Sequence, residues 1–450
     1  MTQRLHRFLA LTARFSLTPC FSWVWPRHWQ KNRFNGLPNA VETVETVPTL
    51  TTPLYTQLKQ GVNERGIKPQ ERTWELCSQA LRTRMNASLL TVFLLGAAVQ
   101  IFPAAAAGSR VAFNEEGIAL VNGKPFFPLG VFTYELNSEV LAELHELQCN
   151  TVLNGFLPNQ MDLIEAHGLM AVCATGSEWL LAAQHHPALL AWYLEDEPEN
   201  RGVTGDGERR RYLELKERDP DHPIGLCHTA FEALTQFKSA CDFTMTDIYP
   251  ITAKRDKNVM GVSIMMDEAR RIHGTNWPQW TYIQVFGGPE TDNGIWAVPL
   301  PHEVRFMAYQ ALVHRATGIL YFSYWPQQVR TWQSVAGLNR EIQRLVPRLV
   351  APGRELAMKA EATAVQLRAR SSLGSASGLI IAINTSPKFV ETALHLANAP
   401  GDLTRPFEGD TVRPGGGGQW TVRFPPYGVE VYTWGTEPAV SMAGETPSKN

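Results

Sequence analysis

Cysteine is scarce in this chain of 450 residues: six in all, with no Cys-x-x-Cys pair and no Cys/His spacing suited to zinc. That excludes a zinc ribbon and a disulfide-dense scaffold. Net charge is nearly absent as well, 41 Lys and Arg standing against 43 Asp and Glu for a formal −2. Without a net basic face the chain is not built to neutralise phosphates, so nucleic acid is excluded as its main partner. No Gly-x-Gly-x-x-Gly turn follows any apolar run, which disfavours a dinucleotide-binding open sheet. His185 and His186 are adjacent, so their side chains point apart, and no third ligand is spaced to join them. The sequence therefore calls for no metal and no other cofactor. What it does hold is a core: 44% of residues are hydrophobic and 19% charged, with 13 Trp and 11 Tyr. The length allows two or three domains, or one large barrel with an accessory.

The first 84 residues differ in character from the rest. Twelve Lys and Arg face five Asp and Glu there, without sustained helical or strand periodicity. Residues 1–84 read as disordered, or as absent from the mature protein. Charge then stops. Met85–Ser109 has no ionisable side chain, follows Arg82 and Arg84, and closes on Ala104–Ala107. A basic flank, an apolar run and a small-residue stop are the grammar of an export signal. Cleavage near Ala107 would give a secreted or periplasmic body. An uncleaved segment 85–109 would anchor that body in a membrane, the only route by which a membrane would be a partner. A buried globular helix is the plainer alternative, weakened by the lack of any polar face. Cys149, Cys173, Cys227 and Cys241 are the cysteines left in the body, and the sequence does not pair them.

Residues 110–360 alternate apolar runs with amphipathic ones. Val111–Gly123 alternates and ends in Asn122-Gly123, a hairpin turn signal. Eight buried strands are expected at Phe126–Phe132, Asn150–Asn154, Leu169–Ala174, Leu189–Leu194, Pro223–Cys227, Phe243–Asp247, Trp280–Val285 and Gly318–Ser323. Runs of Val, Ile, Leu and Phe without polar alternation suit a parallel sheet buried on both faces. Helices are expected at Ser138–Gln148, Gln160–His167 and Gly337–Val350. Eight such strands across about 250 residues fit an α/β fold, a (β/α)8 TIM barrel. From about Glu361 to residue 436 the pattern becomes short alternating strands, a small antiparallel β-sandwich, followed by a tail over 437–450.

Chemistry in such a barrel gathers at strand carboxyl ends. The fourth strand ends Glu195-Asp196-Glu197-Pro198-Glu199, four carboxylates in five residues. Regular alternation places Glu195 and Glu197 on one side and Asp196 on the other. A carboxyl lodged among Trp179, Trp192 and Tyr193 would have its pKa raised by burial and like charge, the property a general acid needs. An acidic strand cap stopped by proline is the plainer reading.

Asp196-Glu197-Pro198 resembles the acid/base motif of the clan of barrel glycosidases that includes cellulases, mannanases and β-galactosidases, whose usual form is Asn-Glu-Pro. The Asn122-Gly123-Lys124-Pro125-Phe126 opening, Gly130-Val131-Phe132, Gly318-Ile319-Leu320-Tyr321-Phe322 with Trp325, and the C-terminal β domain fit the same clan. The resemblance spans about residues 110–435 and implies an exported hydrolase of oligo- or polysaccharides with Glu197 as proton donor. It also marks a departure. The clan's nucleophile is a Glu ending strand seven, where this chain has Gln284, and an amide cannot form a glycosyl ester. Asp247, at the end of strand six, is the preferred second carboxylate. Glu290 and Asp292, in the loop after strand seven, follow. Retention or inversion stays open. Tyr134, Asn154, His228, Tyr249, Gln284 and Trp325 fall at or just past strand ends, where they would bind substrate beside Asp196. Trp277, Trp280, Trp296 and Trp332 are either cleft lining or packing. A carbohydrate-binding protein on the same barrel, without turnover, is the rival reading. An envelope scaffold is weaker.

Overall fold

The computed structural model describes residues 108–154, 158–176, 181, 183–254, 259–289, 294–374 and 376–444. The basic leader, the export segment, Trp179, Glu290 and Asp292 lie outside them. Among the described residues no helix is long and apolar enough to cross a membrane.

A three-stranded antiparallel sheet comes first: β1 (Val111–Phe113), β2 (Ala119–Val121) and β3 (Lys124–Phe126). The Asn122-Gly123 signal makes a two-residue turn between β2 and β3, both residues at positive φ, 50° and 80°. That is the twist a tight hairpin requires. The sheet caps the amino-terminal end of the barrel, where the Phe113 ring meets Phe243 at 5.7 Å and Trp280 at 6.4 Å. Just before it, Ser109 is pinned. Its hydroxyl lies 3.0 Å from His222 Nε2, and His222 Nδ1 lies 2.8 Å from Asp219 Oδ2.

Eight parallel strands then close into a barrel: β4 (Leu129–Phe132), β5 (Thr151–Asn154), β6 (Met170–Ala174), β7 (Leu189–Asp196), β8 (Ile224–His228), β9 (Phe243–Thr246), β10 (Gln279–Gln284) and β11 (Gly318–Phe322). These are the eight expected strands, except that Phe126 closes β3 so the first barrel strand begins at Leu129, and β7 runs two residues further than the apolar pattern indicated. Helices pack outside it: α1 (Ser138–Glu146), α2 (Pro158–Ala166), α3 (Gly205–Arg218), α4 (Phe231–Gln236), α5 (Met260–His273), α6 (Pro301–Val313) and α7 (Val329–Val350). The strands can be apolar throughout because both faces are covered. Val131, Trp192, Leu226 and Ile319 pack outward with the helices, while Val172, Tyr193, Cys227 and Tyr282 fill the lumen.

The C-terminal domain has two antiparallel sheets, one of six strands and one of three. β12 (Gly353–Glu355), β14 (Val365–Ser372), β15 (Gly378–Asn384), β17 (Leu403–Thr404), β18 (Thr411–Val412) and β20 (Val429–Trp434) form the larger. β13 (Met358–Ala360), β16 (Val390–Leu396) and β19 (Gln419–Phe424) form the smaller. Strand β15 is buried along its whole length. Leu379, Ile381 and Ile383 join the barrel-side core, while Ile380 and Ala382 face the interior between the sheets. Cys149, Cys173, Cys227 and Cys241 are all buried and free.

Candidate active site

The site is built by an irregularity in β7. Against β8, Tyr193 pairs with Gly225 but Glu195 pairs with Leu226 and Asp196 with Cys227, so one residue is extra. Such a bulge resets the inside/outside alternation. Tyr193 and Asp196 therefore both face the lumen, and the Tyr193 hydroxyl donates to Asp196 Oδ1. Glu195 turns outward to Arg211 of α3 at 2.9 Å. The expected arrangement, Glu195 with Glu197 and Asp196 opposite, is corrected by this bulge. Trp192 does not surround the acid either. It points outward, and its indole donates to Asp219 Oδ2 at 2.7 Å.

Glu197 closes the strand in left-handed backbone, φ 46° and ψ 57°. That conformation costs a non-glycine residue roughly 1–2 kcal/mol. Pro198 follows and starts a single 3-10 turn, Pro198–Arg201. The Glu197 N–H donates to Cys227 O at 3.2 Å, and Asn200 Nδ2 donates to Glu197 Oε2 at 2.9 Å. Burial, assisted by the charges of Asp196 and Glu199, raises the Glu197 pKa to about 7, against the opposing pull of Asn200 and Arg201.

The four carboxylates have four different fates. Glu195 sits between Arg211 and Arg201. Asp196 takes Tyr193 and Arg201, at 3.2 Å from the latter, and burial raises its pKa. Glu199 is held below the usual carboxylate range although burial opposes this. It lies 3.1 Å from His228 Nδ1 and accepts the Thr229 N–H at 2.8 Å. Among the described residues Glu197 has no cation within bonding distance and keeps Asn200 as its side-chain partner.

Asp247 follows β9 and is 8% exposed. Burial first, then the Glu197 charge, pushes its pKa well up. The Tyr249 hydroxyl lies beside it and favours its ionised form, yet neither Asp247 Oδ1 nor that hydroxyl completes a hydrogen bond of ordinary geometry among the described residues. The Tyr282 hydroxyl, 2% exposed on β10, is likewise unbonded and feels the charges of Asp247 and Asp196. Tyr193, Tyr249 and Tyr282 thus bring phenols to the Asp196–Asp247 side of the lumen.

Aromatic rings rim the opening. Tyr134 is 47% exposed and lies 5.8 Å from the Trp325 ring. Desolvation of its hydroxyl, with Asp196 next, raises its pKa to about 12. Trp325 Nε1 donates to Ser323 Oγ at 2.8 Å. Trp296 packs edge-on to Tyr249 and Phe286, at 5.8 and 6.2 Å. The other tryptophans lie elsewhere. Trp280 is core beside the amino-terminal sheet, Trp332 packs on Tyr324, and Trp277 stacks on His273.

Three expected substrate ligands are engaged by the protein itself. Gln284 is fully buried. Its Oε1 accepts the Ile251 N–H, and its Nε2 donates to the carbonyls of Ile251, Phe286 and Ala297, at 2.9–3.2 Å. It clamps loops rather than facing the lumen with a free amide. His228, 1% exposed, is bound to Glu199 and stacked on Phe237. Asn154 Nδ2 donates to Thr133 O at 2.6 Å. Sequence reasoning named Tyr193 beside the acid but missed Asn200, Arg201 and Tyr282. Arg201, the one cation just after the acidic run, was the available signal. Among the described residues no group of three His, Cys, Asp or Glu is placed to hold a metal ion.

No family model matches this chain, and no curated protein does. Among solved structures, the chain is similar to a GH30 endoxylanase from Clostridium papyrosolvens C71, at 11% identity and a TM-score of 0.47, covering 73% of this chain and 98% of that one. It is similar to an Anoxybacillus α-amylase at 11% identity and a TM-score of 0.46, covering 70% and 99%. It is similar also to a GH27 β-L-arabinopyranosidase from Geobacillus stearothermophilus at 10% identity and a TM-score of 0.47, covering 69% and 97%.

Proposed function

We propose that the carboxyl end of the barrel is the active site of a glycoside hydrolase acting on an oligo- or polysaccharide, with Glu197 as general acid and Asp247 as second carboxylate. The observation that carries this reading is the coupled pair itself. Glu197 titrates at about 7, and Asp247 is pushed up by burial and by the Glu197 charge. Two carboxyls that feel one another's charge titrate as a unit rather than singly. A pair sharing one proton supplies an acid and a carboxylate at once, which is what glycosidic cleavage needs.

Glu197 would protonate the leaving oxygen, leaving Asp247 to activate water or attack the anomeric carbon. The unbonded hydroxyls of Tyr249 and Tyr282 would meet sugar hydroxyls or steady Asp247 as it ionises. The faces of Tyr134 and Trp325 suit the C–H face of a pyranose. Arg201 and Tyr193 hold Asp196, whose charge helps keep the proton on Glu197.

A second reading, a carbohydrate-binding protein without turnover, is favoured by one observation. The strand-seven position carries Gln284, with its amide bonded to backbone. Assays of aryl glycosides and a polysaccharide panel with wild type, Glu197→Gln and Asp247→Asn separate the two. The hydrolase reading expects turnover in wild type and its loss in both variants. Sugar binding with no turnover in any of the three leaves the binding protein.

Export belongs to the proposal too, and rests on Met85–Ser109. Amino-terminal sequencing of the exported form should begin near Gly108. An intact leader on a membrane-retained product would mean an anchor instead.

A further inference from the structure

At the opposite end of the barrel from Glu197, a cleft lies beneath the loops that lead into β10 and β11, against the C-terminal domain. Thr275, Asn276 and Trp277 form one wall, and Arg315, Arg368 and Arg370 line it with Glu116 and Glu355. Nothing in the proposed reaction uses it.

The charges there do not balance. Arg270 adjoins the group, so four guanidinium groups face three carboxylates, and each carboxylate is already engaged. Glu355 is forked by Arg368 at 2.9–3.3 Å. Glu116 accepts from Arg370 and from the Gly353 N–H, both at 2.8 Å. Asp267 serves Arg270 and His314. The Arg315 guanidinium is left with one ion pair, 3.9 Å from Glu355, and makes no hydrogen bond among the described residues. Arg370, 2% exposed, has its Nε unbonded. Crowding shows in the titration as well. The pKa of Arg270 is lowered by burial and then by Arg315 and Arg368, and that of Arg370 by burial and then by Arg368.

Arg315 also occupies an unusual backbone position. It follows α6 with φ at 63°, the left-handed helix-terminating site where glycine is the ordinary choice. An arginine kept there against that preference, with its guanidinium in a cleft and without a hydrogen-bond acceptor, points to an acceptor from outside the chain.

We propose that this cleft binds a small oxyanion, a carboxylate, sulfate or phosphate group, held by Arg315 and Arg368 with the Thr275 and Asn276 side chains at its rim. The guanidinium fork matches two oxygens of such a group, and the surplus positive charge favours it. The source is either a free ion or the acidic group of a glycan.

Calorimetric titration of the intact protein tests this, using sodium sulfate, sodium phosphate and a sulfated or uronic disaccharide, with ionic strength held constant by sodium chloride. Wild type should bind at least one of these saturably. Arg315→Gly removes the guanidinium while suiting the backbone, so folding is preserved, and should weaken binding roughly tenfold to a hundredfold. Arg315→Lys, which keeps charge but not the fork, should fall between. Tighter binding of the disaccharide than of the inorganic ions, with the same dependence on Arg315, assigns a glycan source. The reverse order assigns a free ion. Absence of saturable binding in wild type, or equal binding in Arg315→Gly, overturns the proposal and leaves a purely structural charge network. Glycosidase activity plays no part in the readout, so this test stands apart from that of Glu197.

Discussion

Glu197 is the residue on which activity and stability should be seen to meet. As the proposed acid it would have to be protonated to act, so kcat/KM should fall as pH rises through about 7. Glu197→Gln should lower kcat on unactivated glycosides by roughly 10²–10⁴-fold. Stability should move the other way. The folded pKa, about 7, lies above the ordinary 4.5, so the native state binds this proton more tightly than the unfolded chain does. Its contribution is greatest below pH 4.5 and is lost as pH climbs to 7. Denaturant unfolding at pH 5 and pH 8 should show the Gln variant spared about 1–3 kcal/mol of that decline. An identical pH slope in both proteins would mean that position 197 is an ordinary solvated carboxylate. Asp247→Asn should abolish turnover as well, and the anomer first released by wild type reports the separation of the pair, retention for roughly 5–5.5 Å and inversion for roughly 6.5–9.5 Å. The place of the acidic run was legible, because Asp-Glu-Pro reads as a strand end and the structure closes β7 there. Its surroundings were not, since Tyr193 and Asp196 share a side only through an extra residue that alternation cannot foresee.

At the scale of elements, the eight barrel strands were legible because burial on both faces leaves unbroken apolar runs. The short strands β12, β13, β17 and β18, two or three residues each, carry no such signal. Helix α7 shows how a single glycine misleads. The sequence suggests a start at Gly337, but the helix begins at Val329 and Gly337 lies inside it. A Cβ added there meets nothing within 4 Å, so no packing reason requires glycine. Gly337→Ala should stabilise the protein by about 0.5–1 kcal/mol, chiefly by restricting the unfolded chain. The check is a raised denaturant midpoint with an unchanged slope. The capping sheet offers the opposite case. Phe113→Ala removes the ring that meets Phe243 and Trp280 and should destabilise by about 2–4 kcal/mol.

In the molecule as a whole, barrel and β domain share core. Leu379, Ile381, Val429 and Val431 cluster with barrel residues, and Arg368 reaches from β14 to Leu312 O of α6 at 2.9 Å. Calorimetry should therefore give one unfolding transition, with van't Hoff and calorimetric enthalpies equal. Chains ending before Met358 should fail to fold, for they uncover α6 and α7. The Gln284 clamp joins β10 to two loops, and it limits what position 284 can become. One base substitution turns glutamine into glutamate, so an acid at this place is a single genetic step away. That step would aim a negative oxygen at three peptide carbonyls that now receive an N–H, deep inside the protein, at a penalty of several kcal/mol. The loops at 251, 286 and 297 close on the amide, so a glutamate at position 284 is admitted only where those loops are rebuilt.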